Sequence, residues 1–286
     1  MQVMVFLKRV FSDLIMNKKN IIIASHRRSG THLTIDSILN NFPIFNNNED
    51  YIVETLDHLT SHDLKNKMKS EDLKKLMHGK SSLLKTHSTA YIKDFFAGGR
   101  VDQKYIENIF DDAKVIYVFR DGRDVLVSLY NYMKSFDKET RGASFHEFIR
   151  MVNNFDNDGY EGDVNRVEYW SYHVEGWLNN NDCLFLKFDE IKNDYEKTLC
   201  KISEFIGVPL NDNIVDIRRS GVEANANYFG RVKEKIKKIV SSNKITSVNF
   251  RKGVVGGWKE YFDDNDEAFF EEMSGVLKDR IYNAGD

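Results

Sequence analysis

Short apolar runs rich in β-branched residues alternate along the chain with longer segments whose apolar residues recur every three or four positions. The short runs predict β-strands, and the longer segments predict amphipathic α-helices. The predicted strands cover residues 20–25, 82–86, 114–120 and 183–188. The predicted helices cover residues 31–40, 63–77, 103–110, 124–133, 144–153, 168–179, 195–206 and 267–282. Strands that alternate with helices indicate an α/β fold in which helices cover both faces of a central parallel sheet.

The remaining segments add no second domain. Charged residues interrupt the apolar N-terminal stretch, so residues 1–16 are predicted to form an amphipathic helix rather than a membrane span or signal peptide. A helix lying on a membrane surface is the alternative. The Asn-rich stretch 40–50 is predicted to be a loop, and the Lys-rich segment 227–247 a helix followed by a loop. Without repeats or a Pro-, Gly- or Ser-rich linker, residues 1–286 are predicted to form a single domain.

Composition limits the function classes. The 286 residues are 41% hydrophobic and 30% charged, which is typical of a soluble globular protein. A net charge of −3 does not favour a nucleic-acid partner, so any anion site must be local. The two cysteines, Cys183 and Cys200, form no metal or disulfide pattern, and the expected location is therefore the reducing cytoplasm.

The first candidate functional segment is NIIIASHRRSGTHLTIDSIL, residues 20–39. In it a predicted buried strand is followed by a turn and then by a helix. Backbone N–H groups at such a turn form a cradle for an anion. Gly30 permits close approach of the backbone, and Arg28 adds a fixed positive charge. The hydroxyls of Ser29 and Thr31 add donors. The segment lacks the lysine and the first glycine of a nucleotide triphosphate loop. An ordinary capped strand–helix turn is the alternative.

The second segment is KVIYVFRDGRDVLVSLYNYM, residues 114–133, in which a strand ends at Arg120 and a helix starts near Arg123. A triphosphate hydrolase tends to place a metal-binding acid at this strand end. An arginine there indicates direct contact with phosphate, without Mg²⁺. Ser128, about one turn into the helix, can donate to the same anion or be satisfied within the helix.

The third segment is NFRKGVVGGWKEYF, residues 249–262. Its basic, glycine-containing loop is formed by Arg251, Lys252 and Gly253. Such loops bind phosphates through backbone and guanidinium donors. A basic surface turn would have the same composition, so the segment is informative only together with the other two.

The fourth segment is SSLLKTHSTA, residues 81–90, at the end of a predicted strand. Lys85 and His87 lie two residues apart, so their side chains point to the same face. Alone, His87 has an ordinary explanation as a satisfied strand-end histidine. With three phosphate-binding segments in the same chain, the pair indicates an active site beside a nucleotide with two anionic ends. None of the four segments contains a metal motif.

The four segments resemble the motifs of the cytosolic sulfotransferases, which use 3′-phosphoadenosine 5′-phosphosulfate (PAPS) and release adenosine 3′,5′-bisphosphate (PAP). SHRRSGTHL resembles their 5′-phosphosulfate loop, Y-P-[KR]-S-G-T-x-W, and YVFRDGRDVLVSLY resembles their 3′-phosphate motif. RKGVVGGWKEYF resembles their C-terminal R-K-G-x-x-G-D-W-K-x-x-F segment, and LLKTHS the strand with their catalytic histidine. The four motifs occur in the family's order across residues 20–262, at near-family spacing.

The resemblance implies a P-loop-like turn for the phosphosulfate and assigns the cofactor-binding residues by position. Those implied to hold the 5′-phosphosulfate are Arg28, Ser29, Gly30, Thr31 and His32. Those implied to hold the 3′-phosphate are Arg120, Ser128, Arg251, Lys252 and Gly253. Those implied to lie near the adenine are Leu33 and Phe188. The implied cofactors are PAPS and its product PAP, and no metal.

The implied reaction is an in-line displacement at sulfur, in which a hydroxyl or amine of a small molecule attacks the sulfuryl group. His87 is implied to be the general base that takes the acceptor's proton, and it is preferred over His32, which is interpreted as a phosphosulfate ligand. A neutral imidazole, with an ordinary pKa of about 6.5, suits that role. Lys85 and Arg28 are implied to stabilise the negative charge on the transferring group and the leaving phosphate.

The sequence departs from the family pattern at several positions. Leu33 replaces the tryptophan that stacks on adenine, so the adenine must pack on aliphatic groups or elsewhere. Phe188 stands where the family often has tyrosine, and Gly257 replaces the aspartate before Trp258. The family's dimer motif would begin near Lys259, but KEYFDDNDEA lacks its Thr-Val and final Glu. The usual dimer is therefore not expected from the sequence.

The sequence indicates least about the acceptor, the small molecule that receives the sulfuryl group. The segment NNFDNDGYEGD, residues 153–163, carries Asp156, Asp158 and Glu161. Folded over the pocket, these carboxylates would favour a cationic acceptor such as an amine or guanidinium compound. A solvated acidic loop is the alternative, and an aromatic content of 13% suits a phenol or steroid-like acceptor equally.

Two function classes remain as alternatives. A P-loop kinase or nucleotidase would bind ATP with Mg²⁺, and the missing Gly-Lys-[Ser/Thr] and Arg120 argue against it. A catalytically inactive nucleotide-binding protein would bind PAP without turnover, and the presence of Lys85 and His87 argues against it. No nucleic-acid or membrane partner is expected.

Overall fold

The molecule is built on a parallel β-sheet. The computed structural model describes residues 19–45, 51–56, 81–90, 111, 113–153, 163–180, 182–218, 253 and 255–275. The strands in these residues are β1 (Asn20–Ala24), β2 (Tyr51–Thr55), β3 (Ser81–Thr86), β4 (Ala113–Phe119) and β5 (Cys183–Lys187). They form one sheet in the order β2-β3-β1-β4-β5, and every neighbouring pair is parallel. The predicted α/β class is confirmed, and each of the four predicted strands is found to within one residue.

Helices flank the sheet. In the described residues they are α1 (Thr31–Asn41), α2 (Gly122–Met133), α3 (Lys138–Gly142), α4 (Phe145–Arg150), α5 (Arg166–Leu178), α6 (Phe188–Asn193), α7 (Tyr195–Ile206) and α8 (Asp264–Ser274). Short 3₁₀ turns cover Pro43–Phe45 and Gly257–Glu260. The predictions for α1, α2, α5 and α7 are confirmed, with ends shifted by at most two residues. None of the described helices combines the length and the apolar composition that crossing a bilayer requires.

Two predicted helices have different ends in the structure. The helix predicted for residues 144–153 ends at Arg150, because Val152 leaves it to form an isolated antiparallel bridge with Asn165. The last predicted helix, 267–282, starts earlier, because the Asp263 carboxylate caps it by accepting the Asp266 N–H at 2.8 Å. Its part beyond residue 275 lies outside the described residues, as do the predicted elements at 1–16, 63–77, 103–110 and 227–247.

Three short elements of the described residues were not predicted, namely β2, α3 and α6. Strand β2 follows the Asn-rich stretch, and its position at the sheet edge comes from pairing with β3, which five residues do not reveal locally. Helix α6 starts at Phe188 directly after β5, at a residue assigned to the preceding strand, and its six residues are too few to show a helical period. The stretch 40–50, predicted as a loop, includes the end of α1 and the turn at Pro43–Phe45.

Both faces of the sheet are buried, and successive residues of the central strands contribute alternately to two apolar clusters. On one face, Ile22 and Tyr117 pack with residues of α2 and α5. On the other face, Ile23 and Ile116 pack with residues of α1 and α7. This two-sided burial explains why the central strands are continuous apolar runs rather than alternating ones.

Three of the candidate functional segments continue directly from the ends of strands. In the register, Ala24 at the end of β1 lies between Thr86 of β3 and Tyr117 of β4. Because the strands are parallel, the segments that begin at Ser25, His87 and Arg120 all leave the same edge of the sheet.

Candidate active site

The turn between β1 and α1 has a backbone shaped for close contact. Gly30, the residue before α1, has φ 107°, in the left-handed region that favours glycine. A Cβ atom at Gly30 would lie 2.5 Å from Cδ2 of Phe188, so packing excludes a side chain there as well. Arg28 also has a positive φ, 71°. The first amides of α1 have no intrahelical acceptor, and the turn therefore offers backbone donors to an anion.

Arg28, Arg120 and Ser128 come together although the second and third lie about ninety and a hundred residues further along the chain than the first. Arg28 Nε donates to Ser128 Oγ at 3.2 Å, and Arg120 Nη1 donates to the carbonyl oxygen of Arg28 at 3.1 Å. Burial lowers the pKa of both guanidinium groups, and the charge of Arg120 lowers that of Arg28 further. Two half-buried positive groups held close together favour an anion between or beside them.

Phe188 connects three of the predicted phosphate-binding segments. Its ring is 5% exposed, packs against Gly30 and lies 4.7 Å from the guanidinium carbon of Arg120. Gly253, with φ 51°, is close enough that a Cβ atom there would lie 4.0 Å from Phe188 Cζ. Leu33, the other residue assigned to the adenine, is half-buried and packs against the apolar cluster on the α1 side of the sheet.

The C-terminal glycine-rich segment is anchored to α2. The Asp124 carboxylate accepts the Gly256 N–H at 2.8 Å and the Trp258 N–H at 3.0 Å. The guanidinium carbon of Arg123 lies 3.9 Å from the Trp258 ring centroid, and the same guanidinium makes a two-pronged ion pair with Asp121. Sequence reasoning missed Asp124, whose only signal was an acid in the first turn of a predicted helix.

The structure orients the ring of His87. Its Nδ1 lies 3.0 Å from the carbonyl oxygen of Ser25, and a carbonyl only accepts, so Nδ1 carries the hydrogen of the neutral ring. The lone pair is then on Nε2, the nitrogen that a general base would use. Burial, followed by the charges of Lys85 and Arg27, lowers the pKa of His87 well below its ordinary value, which keeps the ring neutral.

His32 lies in the same electrostatic environment. It stands in the first turn of α1 with an exposed surface, and desolvation by the surrounding protein lowers its pKa. The positive charges of Lys85 and Arg28 lower the pKa of His32 further. The structure therefore brings together two neutral imidazoles, His32 and His87, with cations around them.

A second group that sequence reasoning missed lies on α5. His173 Nε2 is 3.0 Å from the carbonyl oxygen of His87, and Trp177 Nε1 donates to the carbonyl oxygen of Ser88 at 3.2 Å. The available signal was the spacing H-x-x-x-W, which places two polar ring nitrogens on one face of a predicted helix.

The remaining predicted site residues lie outside the described part of the chain. They are Arg251, Lys252, Asp156, Asp158 and Glu161. In the described part, one group of three side chains has metal-ligand spacing: His146, Asp263 and Asp266. It contains none of the predicted site residues, and Asp266 is already bound by Arg150 at 2.7 Å.

Comparison with known proteins decides the family. The family model described as a sulfotransferase domain matches residues 18–279. The chain belongs to the sulfotransferase family. This sulfotransferase is 30% identical to Mus musculus sulfotransferase 2B1 over 180 residues, which are 58% of this chain and 49% of the relative. It is 28% identical to Homo sapiens sulfotransferase 2A1 over 183 residues, 58% of this chain and 59% of the relative. The matched segment thus spans about half to three fifths of these relatives.

A longer match and two solved structures agree with that assignment. Canis lupus familiaris sulfotransferase 1B1 is 26% identical over 273 residues, 90% of this chain and 84% of the relative. The crystal structure of mouse sulfotransferase SULT7A1 complexed with PAP is similar with a TM-score of 0.55 at 22% identity, over 96% of this chain and 90% of that one. Retinol dehydratase in complex with retinol and PAP is similar with a TM-score of 0.53 at 17% identity, over 92% and 81%. These two likenesses show a shared fold.

Proposed function

We propose that this sulfotransferase moves the sulfuryl group from PAPS to a hydroxyl or amine of a small molecule and releases PAP. The observation that carries the proposal is the meeting of Arg28, Arg120 and Ser128 beside the glycine turn, on the sheet edge where His87 presents a neutral ring. An arginine follows β4 where a triphosphate hydrolase would tend to have a metal-binding acid. The solved structures with the same fold contain PAP, which supports this cofactor.

The two anionic ends of the cofactor divide the binding residues. The 5′-phosphosulfate would be held by Arg28, the turn amides and His32, with the hydroxyls of Ser29 and Thr31. The 3′-phosphate would be held by Arg120 and Ser128, with Arg251, Lys252 and Gly253 of the C-terminal segment. Phe188 and Leu33 would lie toward the adenine. Guanidinium groups and helix-start amides are the donors that phosphates favour, so the residue types suit both ends.

In the reaction, the acceptor oxygen or nitrogen forms a bond to sulfur while the bond from sulfur to the phosphate oxygen of the cofactor breaks. His87 Nε2 takes the acceptor's proton in the transition state. Charge builds on the leaving phosphate and on the sulfuryl oxygens, where Arg28, Lys85 and the turn amides stabilise it. A positioned base of this kind contributes about 10²–10⁴-fold.

The acceptor is proposed to be a small molecule with a cationic group, bound by Asp156, Asp158 and Glu161. A similar protein, the amine sulfotransferase of Oryctolagus cuniculus, is 26% identical over 189 residues, and its name supports an amine acceptor. Retinol and androsterone in the retinol dehydratase structures support a neutral alcohol equally well. Faster sulfation of tyramine and agmatine than of 2-naphthol and androsterone would support the cationic class, and equal rates would remove it.

The function is tested by incubating the protein with PAPS and that acceptor panel and detecting by mass a sulfuryl group on the product. His87→Ala should keep PAP affinity, measured as a thermal shift, while turnover falls about 10²–10⁴-fold because the proton has no acceptor. His32→Ala is the comparison variant, and it should weaken cofactor binding because His32 is assigned to the phosphosulfate. Full activity in His87→Ala with none in His32→Ala would transfer the base role to His32. PAP binding without product from any acceptor would support the inactive nucleotide-binding protein, and Mg²⁺-dependent ATP binding would support the kinase.

A further inference from the structure

The two residues that follow β3 are held by side chains of α5. His173 and Trp177 lie one turn apart on this helix and reach two successive carbonyl groups, those of His87 and Ser88, at 3.0 and 3.2 Å. Both side chains are at most 1% exposed. The peptide that follows His87 is therefore bound from the interior of the protein.

The hydrogen positions on His173 follow from its two partners. The carbonyl oxygen of His87 only accepts, so His173 Nε2 carries the hydrogen. His173 Nδ1, 2.9 Å from the Tyr117 hydroxyl, then accepts the hydrogen of the phenol. Burial lowers the pKa of His173 well below its ordinary value and raises that of Tyr117 well above its own. Both rings stay neutral, and the chain of donors runs in one direction from Tyr117 to the carbonyl of His87.

The opposite side of His87 is also fixed by an uncharged group. Its Nδ1 binds the carbonyl oxygen of Ser25, and the Ser25 N–H in turn donates to the carbonyl oxygen of Thr86 at 3.2 Å. The ring of His87 is thus held by Ser25, the residue after β1, and its main chain is held by α5. The direction of Nε2 depends on both, because rotation of the peptide after His87 would move its Cα and the ring with it.

We propose that His173, oriented by Tyr117, is a positioning residue for sulfuryl transfer, which holds the peptide after His87 and thereby directs Nε2 toward the acceptor. This inference rests on the proposed function, in which His87 is the base. Packing alone would be served by any ring in this cluster, where the His26 ring lies 5.4 Å from His173 in an edge contact. An apolar ring would leave the carbonyl of His87 without this buried donor, which costs free energy and favours a shift of the peptide.

The variants separate hydrogen bonding from packing. His173→Phe keeps a ring and loses the donor, whereas His173→Gln keeps an N–H donor at about the position of Nε2. Tyr117→Phe removes the group that orients His173. Val174→Ala, the matched control, truncates a buried neighbour on α5 that makes no hydrogen bond to β3 through its side chain. It should lower the melting temperature without changing turnover by folded enzyme.

With 2-naphthol and tyramine as acceptor probes, His173→Phe should lower kcat about 10–100-fold, the size expected for a base displaced by about 1 Å. The KM for PAPS and the Kd for PAP should stay within about twofold, because the phosphate-binding residues are untouched. Tyr117→Phe should lower kcat by a smaller factor, and His173→Gln should restore most of it. Equal kcat in His173→Phe and Val174→Ala would overturn the positioning role.

A second measurement does not depend on the acceptor. In the PAP complex of the ¹⁵N-histidine-labelled protein, the ring of His87, assigned by its loss in His87→Ala, should appear as the Nδ1–H form. In His173→Phe it should become a mixture of tautomers with a pKa closer to about 6.5, since the ring is less firmly held. An unchanged His87 spectrum there would refute the proposal. Full turnover in His87→Ala would instead refute the base assignment, so the two failures are distinguishable.

Discussion

Lys85 affects the chemistry at His87 through charge. Burial lowers the pKa of His87, and the positive charge of Lys85 is the next largest cause. A base works in its neutral form, so a lowered pKa keeps His87 active further into acid. We therefore expect kcat/KM of the wild type to stay level as the pH falls through about 6.5 and to decline only well below that value.

Lys85→Met should change this profile in a defined direction. Without the charge, protonation of His87 costs less, its pKa rises, and the acid limb of kcat/KM moves to higher pH. The plateau should also fall, because Lys85 stabilises the transferring group in the proposed mechanism. The measurement is kcat/KM between about pH 5 and pH 9. Lys114→Met, at an exposed lysine on β4, should leave the profile unchanged. A lower plateau with an unmoved acid limb would show that Lys85 acts only on the transferring group.

For single residues, relations set by a short spacing in the sequence were predictable. Contacts between residues that only the fold brings together were not. Lys85 lies on β3 and His87 is the residue directly after it, so the period of β structure predicts a common face, and the charge of Lys85 does act on His87. The Ser25 carbonyl that fixes the tautomer of His87 is a backbone atom, and no residue type indicates it. His173 lies 86 positions beyond His87, and the contact appears only once α5 crosses the end of β3.

Among the elements, α2 connects the two parts of the proposed 3′-phosphate site. It carries Ser128 on one side, and through Asp124 it holds the backbone of Gly256 and Trp258. Burial raises the pKa of the Asp124 carboxyl, while the Gly256 amide and the Arg120 charge oppose that shift. The carboxylate is therefore costly to bury, and its hydrogen bonds to the C-terminal segment offset that cost.

Asp124→Ala should weaken PAP binding about tenfold or more, since loss of hydrogen bonds to a charged group is worth about 1.5–3 kcal/mol and releases the segment that contains Gly253. Titration calorimetry with PAP measures the effect. Asp137→Ala is the control, because Asp137 likewise accepts a backbone N–H, from Thr140 at the start of α3. It should cost stability without changing the affinity. Tighter PAP binding in Asp124→Ala would mean that the negative charge near Arg120 outweighs the anchoring.

Helices and strands with a clear apolar pattern were predictable from the sequence, whereas the positions of the short segments were not. The four consecutive apolar residues of β1 and the twelve-residue pattern of α7 have signals of their own. Gly253 lies outside any helix or strand, as expected for a loop, but the positions of Gly256 and Trp258 are set by Asp124 and by the stacking of Arg123 on Trp258. Those partners lie more than 130 residues away in the sequence.

For the molecule as a whole, attraction for an anionic cofactor is a local property. The net charge is −3, so long-range steering of a polyanion is not expected. The proposed affinity comes instead from Arg28 and Arg120, brought together by β1 and β4. Charge that is buried for function usually lowers stability, and the same helix that starts at the phosphosulfate turn also buries a carboxyl, that of Asp36.

Asp36 makes the stability of the whole molecule depend on pH. It is 9% exposed, and burial raises its pKa from 3.8 to about 7. Below about pH 4 the carboxyl is protonated in both the folded and unfolded states, and it adds no penalty. Between about pH 4 and pH 7 the unfolded chain ionises while the folded chain holds its proton, so stability falls as the pH rises. Above about pH 7 the penalty is complete and constant.

Asp36→Asn removes the ionisation and should raise the free energy of unfolding by on the order of 2 kcal/mol at about pH 8, with little gain at about pH 4. Urea unfolding at the two pH values measures the difference, and Asp182→Asn, at an exposed position, is the control for the amide substitution itself. A gain that is equal at both pH values would come from packing or hydrogen bonding of the amide, and the carboxyl would then not be the source of the penalty. A gain confined to high pH would show that burial of the Asp36 carboxylate lowers the stability of the sulfotransferase. The carboxylate lies on α1, the helix that starts at the proposed phosphosulfate turn.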